Sequence, residues 1–400
     1  MELEVQSIKI QSVTAVITAF ALIVFAFWAS DQEGGKAAAF AFVCGAAFGA
    51  VMQKSRFCFY CHIREYIEDG DPRGVLSLLL AIAIGIIGYT AVMSSWLPSP
   101  SLAGSLPPDV HIGPVSEIVV IAGAVFGLGM ALSGSCIGAH FYHLGEGSFE
   151  SVAALVGAGF GFFLGFNTWN ALYSYRIAEA PLVWLPAHIG YGWSLILQLG
   201  AIAAVAAFVW RGFAARRLVA PARKLPTVKE FLLSICRDRW SFWIGGALIA
   251  LIGIVALVRV KPLGVTATLG SWVRSIAGEF GLIPAKLNGL DGFAGCGSLP
   301  QNYWFNADSL LLLGLVVGSF IAALAGGNFA IERTSFRALS LALLGGVLLG
   351  WGAMTALGCT IGTLLSGTQA GALSGWLFGG AMLLALWGAL TIKRRFLQKA

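Results

Sequence analysis

Phe126-Gly-Leu-Gly-Met-Ala-Leu-Ser-Gly-Ser-Cys-Ile-Gly138 is an apolar run that ends in a cluster of small residues around a cysteine. The apolar part suits a helix, and the Ser-Gly-Ser-Cys tetrad interrupts it, because glycine frees the backbone and serine offers it competing hydrogen bonds. Gly350-Trp-Gly-Ala-Met-Thr-Ala-Leu-Gly-Cys-Thr-Ile-Gly362 repeats this design 223 residues later. At that offset Gly127, Gly129, Cys136, Gly157 and Gly165 meet Gly350, Gly352, Cys359, Gly380 and Gly388. Two glycines and a cysteine in one register, with both flanking apolar runs, predict an internal repeat. Each partner is displaced by five apolar segments, and an odd displacement inverts its orientation. The chain therefore reads as two inverted five-segment units, which in transporters place the substrate near the midplane at broken helices.

Working outward, the apolar segments fall at about 12–29, 37–52, 74–93, 115–133, 149–166, 191–210, 240–258, 309–326, 338–356 and 372–391. With 58% hydrophobic and only 11% charged residues and a mean hydropathy of +0.83, a soluble globular domain is excluded. A β-barrel is excluded too, because runs such as Val75 to Val92 are continuously apolar rather than alternating. The expected fold is an all-α integral membrane protein of about 9–10 transmembrane segments in two inverted repeats, with re-entrant Cys/Gly loops. No cleavable leader is expected, since the run from Ser12 to Trp28 lacks a small-residue cleavage site. Seven scattered cysteines do not form a secreted disulfide framework.

With the N-terminus inside, nineteen of the 25 lysines and arginines fall on the cytoplasmic side and six outside. The positive-inside rule then places both termini in the cytoplasm. Residues 1–36 read as an extra N-terminal segment, 37–210 as the first repeat half, 211–239 as a basic cytoplasmic linker and 240–400 as the second half. The linker's basic residues suit a topogenic role beside anionic lipid.

Three segments break apolar helices around a cysteine: Gln53-Lys-Ser-Arg-Phe-Cys58, Ser133-Gly-Ser-Cys136 onward, and Ala356-Leu-Gly-Cys359 onward. A fourth, Lys261-Pro-Leu-Gly-Val-Thr266, breaks without one. Freed N–H groups and the following half-helix N-terminus suit an anion, and a thiol is a soft, polarizable donor. A soft sulfur-containing anion fits this set better than phosphate, which calls for arginine clusters. The substrate-binding candidates are Cys58, Cys136, Cys359, Gly134, Gly138, Gly264, Thr266, Gly358 and Gly362.

Arg56, Cys61, His143 and Glu146 are candidates for coupling or gating. Cys58 and Cys61 share a helix face, which leaves metal or redox use of the pair open, although no second cysteine pair completes a zinc set. His140, His143 and Glu146 are ionisable groups near membrane depth, where such groups are costly. Glu146 also stands where it could cap the next helix, and Arg56 and Arg333 could draw anions. Gly270-Ser-Trp-Val-Arg-Ser275 reads as a surface-lying helix, and the segment around Cys296 as a cap over the pore mouth. Neither a nucleotide motif nor a metal cage is visible. No cofactor and no nucleic-acid partner are expected.

Gly49-Ala-Val-Met-Gln-Lys-Ser-Arg-Phe-Cys58, the Phe126–Gly138 run with Gly145-Glu-Gly147, Leu263-Gly-Val-Thr266, Val317-Gly-Ser-Phe-Ile-Ala-Ala323 and Gly345–Gly362 together resemble the YeeE/YedE family, in the expected order from about residue 40 to 390. That resemblance implies a bacterial inner-membrane permease, not an enzyme, for thiosulfate or related sulfur compounds. It implies an hourglass of helices whose loops dip in from both faces carrying three cysteines, here Cys58, Cys136 and Cys359. It also implies hand-over to a small cytoplasmic sulfur-carrier protein. The sequence departs from the family pattern in Gly-Ser-Cys136, Leu-Gly-Cys359, His143, Cys61 and the first span. These departures keep a selenium substrate open, as the Cys58–Cys61 pair keeps a membrane-embedded thiol oxidoreductase open.

Overall fold

The computed structural model describes the chain except residues 1, 33–34, 102–105, 108, 212–236, 294–305, 332–333 and 398–400. The segment around Cys296, Arg333 and most of the basic linker therefore lie outside the described residues. Fourteen helices are described: α1 Glu2–Ser30, α2 Gly35–Ser55, α3 Phe59–Asp69, α4 Arg73–Trp96, α5 Glu117–Ser133, α6 Ile137–Glu146, α7 Phe149–Tyr175, α8 Leu185–Arg211, α9 Phe242–Arg259, α10 Thr266–Glu279, α11 Ala307–Ala325, α12 Phe336–Thr355, α13 Thr360–Gly367 (wound as a π-helix) and α14 Leu373–Leu397. Ten spans among the described residues are long and apolar enough to cross a membrane, and each overlaps one of the ten apolar segments of the sequence. The protein is an all-helical, multi-pass membrane protein.

Small residues set the packing. Gly45 and Gly49 on α2 face the backbone carbonyls of Leu311 and Leu315 on α11, while Gly314 and Gly318 face those of Phe42 and Ala46. Gly157 and Gly161 on α7 likewise face Leu343 and Val347 on α12, and Gly346 and Gly350 face Ala154 and Ala158. A Cβ at any of these would collide with main chain, so the four-residue glycine spacing is what lets the helices touch. At the centre α5 lies on α12, α7 packs on α12, α14 on α5, α2 on α11 and α4 on α9. Exchanging α2, α4, α5 and α7 for α9, α11, α12 and α14 reproduces each of these pairings. α1 lies outside this core against α2 and α11, with Phe20 and Phe27 largely exposed, as a lipid-facing helix allows.

Four spans are interrupted, at the junctions α2/α3, α5/α6, α9/α10 and α12/α13. α13 ends inside the molecule, where Leu185 and Leu373 donate to the carbonyls of Gly371 and Val183 and Trp184 Nε1 donates to Ala370 O at 2.8 Å. One expectation fails at α10. Residues 270–275 are not a surface-lying helix: Ser271 is buried, α10 packs on α7 and α11, and the Arg274 guanidinium is 2.8 Å from Asp291. That ion pair answers the charge that made the segment look superficial.

Candidate functional site

The three cysteine-bearing breaks share one backbone plan. The residue two before each cysteine is left-handed: Arg56 (φ 51°), Gly134 (φ 79°) and Leu357 (φ 58°). That residue closes the preceding helix, with Phe57 N–H donating to Met52 O, Gly134 N–H to Met130 O and Gly358 N–H to Ala353 O. The cysteine is then extended and opens the next half-helix, Cys58 before α3, Cys136 before α6 and Cys359 before α13. All three cysteines have no exposed surface. The fourth break differs: Val265, in a helical rather than extended conformation, precedes α10, and Thr266 is its first residue, with a buried side chain.

The breaks come together. The Cys58 sulfur is 3.5 Å from Ser135 Oγ, and the thiols of Cys61 and Cys136 are its neighbours. Thr360, the first residue of α13, lies near the Cys136 thiol with its hydroxyl buried and without a hydrogen-bond partner. Cys359 lies near the backbone N–H groups of Ile361, Gly362 and Val265 and near Thr266, whose buried hydroxyl has no hydrogen-bond partner. A Cβ on Gly138 would press on Ile361 at 3.0 Å and reach Val265, so Gly138 marks where α6, α13 and α10 meet. Gly358 lies against Thr363, and Gly264 is half-buried in the link between α9 and α10. Each half-helix N-terminus carries about half a positive charge, so their meeting favours an anion.

Ser135, beside Cys58, also lines a polar cavity of about 440 Å³ whose walls include Arg56, Arg64, Arg239, Ser133, Gly134, His140, His143, Glu146 and Asn328. His143 Nδ1 is 2.6 Å from Glu146 Oε2, and Gln53 Nε2 donates to Glu146 Oε1 at 3.2 Å, which ties α6 to α2. Glu146 is thus engaged in this pair, and Ser148 caps α7 instead, accepting from Ser151 N–H. Of the expected residues, Cys58, Cys61 and Cys136 form one cluster, Cys359, Thr266 and Gly362 a second, and Arg56, Gly134, His143 and Glu146 line the vestibule. Ser135, Thr360, Arg64 and Arg239 were not foreseen. Ser135 lies inside a motif already conspicuous for its cysteine, whereas Arg239 joins the site only through the chain's return after the linker.

A family model described as sulphur transport matches residues 54–388. This chain belongs to the sulphur transport family. It is similar to the thiosulfate transporter TsuA of Escherichia coli K12, 28% identical over 364 residues that cover 87% of this chain and 92% of the relative. It is also similar to the thiosulfate transporter TsuA of Spirochaeta thermophila, 26% identical over 356 residues, covering 86% and 95%. A shorter similarity, 32% over 82 residues and 20% of each chain, joins it to the probable transporter YedE of E. coli K12. The matched span of the sulphur transport family includes all four breaks, from just before Cys58 to beyond Cys359. The family and these relatives are transporters, which supports a sulfur-anion transporter.

Proposed function

We propose that this protein is a bacterial inner-membrane permease for thiosulfate or a closely related sulfur anion, with both termini in the cytoplasm and two inverted repeats around a central constriction. The observation that carries this reading is the gathering of four half-helix starts, three of them bearing fully buried cysteines. A bare anion at low dielectric is unstable by many kcal/mol unless fixed dipoles replace its hydration. N–H groups at Ile361 and Gly362 and the thiols of Cys359, Cys136 and Cys58 supply such dipoles in sequence. Thiols are weak donors, so each site holds the anion loosely enough to release it to the next. Arg56, His143 and Glu146 stand at the exit as gating groups, and by family resemblance a small cytoplasmic sulfur carrier and the surrounding lipid are the partners. A selenium analogue of the same anion would use the same contacts.

The contact of Cys58 with both Cys61 and Cys136 favours a second reading, a membrane-embedded thiol oxidoreductase. Cys61→Ala separates the two, being mild for permeation and fatal for thiol redox turnover. The permease is tested by growth of a sulfur-auxotrophic host on thiosulfate as sole sulfur source at matched expression. The native chain rescues growth, and Cys58→Ala, Cys136→Ala and Cys359→Ala lose it. No rescue by correctly inserted native protein would argue against thiosulfate.

A further inference from the structure

The vestibule holds one buried group that the thiol path does not use. His140 is 98% buried on α6, its Nδ1 is 3.1 Å from Ser151 Oγ, and its Nε2 has no hydrogen-bond partner. An imidazole nitrogen buried without a partner has given up its hydration for nothing, so a ligand that meets it recovers that loss. The cavity that His140 lines also holds the guanidinium groups of Arg56, Arg64 and Arg239 and the hydroxyls of Ser133, Ser135, Ser148 and Ser151. Among the described residues no carboxylate is within ion-pair distance of Arg56 or Arg239; Arg64 is 3.7 Å from Glu68. Glu146 and Glu150 share the wall, but Glu146 is engaged by His143 and Gln53. Charged donors crowded with hydroxyls around an imidazole with one unpartnered nitrogen are a hard, oxygen-seeking set, unlike the soft thiols beside them.

We propose that this vestibule is a second anion site, built for a tetrahedral oxyanion group and continuous with the thiols through Ser135. The inference rests on the sulfur-anion reading and deepens it. A substrate with a soft sulfur end and a hard oxyanion end is handed from the thiols to the arginines, His140 and Ser135 as it leaves. An oxyanion without the soft end, such as inorganic sulfate, binds the vestibule alone and obstructs release from that side.

The test is calorimetric titration of inorganic sulfate into the full-length protein in lipid nanodiscs, with chloride as the control anion. Native protein is expected to bind sulfate saturably. The Arg56→Gln/Arg239→Gln pair and, separately, His140→Phe are each expected to weaken binding by about tenfold, the scale of one lost charge-assisted contact. Cys136→Ala is expected to change sulfate affinity by less than about twofold, because Cys136 is fully buried and does not line the cavity. Arg56 and Arg239 are exposed, so their variants keep the fold, and an unaltered gel-filtration profile checks this. Absence of saturable sulfate binding to native protein, or unchanged affinity in the arginine pair, overturns the proposal. So does loss of sulfate binding in Cys136→Ala, which would put the anion at the thiols. Failure of the growth assay with sulfate binding intact would instead count against thiosulfate as substrate and leave the vestibule site standing.

Discussion

Arg56, Gly134 and Leu357 hold the left-handed turns that aim Cys58, Cys136 and Cys359, yet only Gly134 occupies such a turn without steric cost. A side chain there costs about 1–2 kcal/mol, so Arg56 and Leu357 store strain beside the site. Arg56→Gly is expected to raise the thermal midpoint of purified protein while weakening anion binding in the vestibule, because strain and one guanidinium leave together. His111, in the connection between α4 and α5, adds a pH dependence. Burial, then the nearby Lys261, pushes its imidazole down from 6.5 to about 3, so the folded state holds it neutral. The unfolded chain binds that proton first as pH falls below about 6.5, so the stabilisation is complete above that pH and declines toward pH 3. A melting series from pH 7 to 4 should fall more steeply for native protein than for His111→Gln. The cysteines were legible in sequence because each sits where small or polar residues interrupt an apolar run, and Cys136 and Cys359 also share one register 223 residues apart. Ser135 and Arg239 were not, because contact with Cys58 and the vestibule arises from tertiary packing that no local spacing encodes.

Between helices, the glycine pattern was half legible. Gly127 lies against Met382 on α14 and its repeat partner Gly350 against Ala158 on α7, so these two positions do equivalent work in the two halves. Gly129 and Gly352 are also equivalent, both closing the α5/α12 contact. The matches Gly157 with Gly380 and Gly165 with Gly388 do not extend to packing, since nothing lies within 4 Å of a Cβ on Gly380 or Gly388. This asymmetry makes a direct contrast. Gly157→Leu, forced onto the Leu343 backbone, should cost about 1–3 kcal/mol or prevent insertion, whereas Gly380→Ala should be within about 0.5 kcal/mol of native. Thermal shift of the two variants in detergent checks this. Sequence placed all ten spans, but the half-helices α3, α6, α10 and α13 fall outside its apolar segments. α3 and α10 carry enough polar residues to lose the apolar signal, and the charge of Arg274, paired with Asp291, disguises α10 as a surface element.

At the scale of the whole molecule, basic residues collect at the end that bears the vestibule, where Arg56, Arg64 and Arg239 meet. Charge of this sign retains a membrane end in the cytoplasm and draws anions toward it. Tags at the N- and C-termini are therefore expected to be protected from protease in intact cells and cleaved together after permeabilisation. The proposed inverted repeats require helix pairings that exchange into one another, as those of α2, α4, α5 and α7 with α9, α11, α12 and α14 do, and α1 lies outside them. Passage of a sulfur anion along Cys359, Cys136 and Cys58 is the central claim. The most direct measurement is uptake of radiolabelled thiosulfate into liposomes containing only the purified protein, compared with the three single Cys→Ala variants. Saturable uptake by native protein, with a loss of about tenfold or more in each variant, is the predicted result. Equal uptake in native protein and all three variants would contradict it.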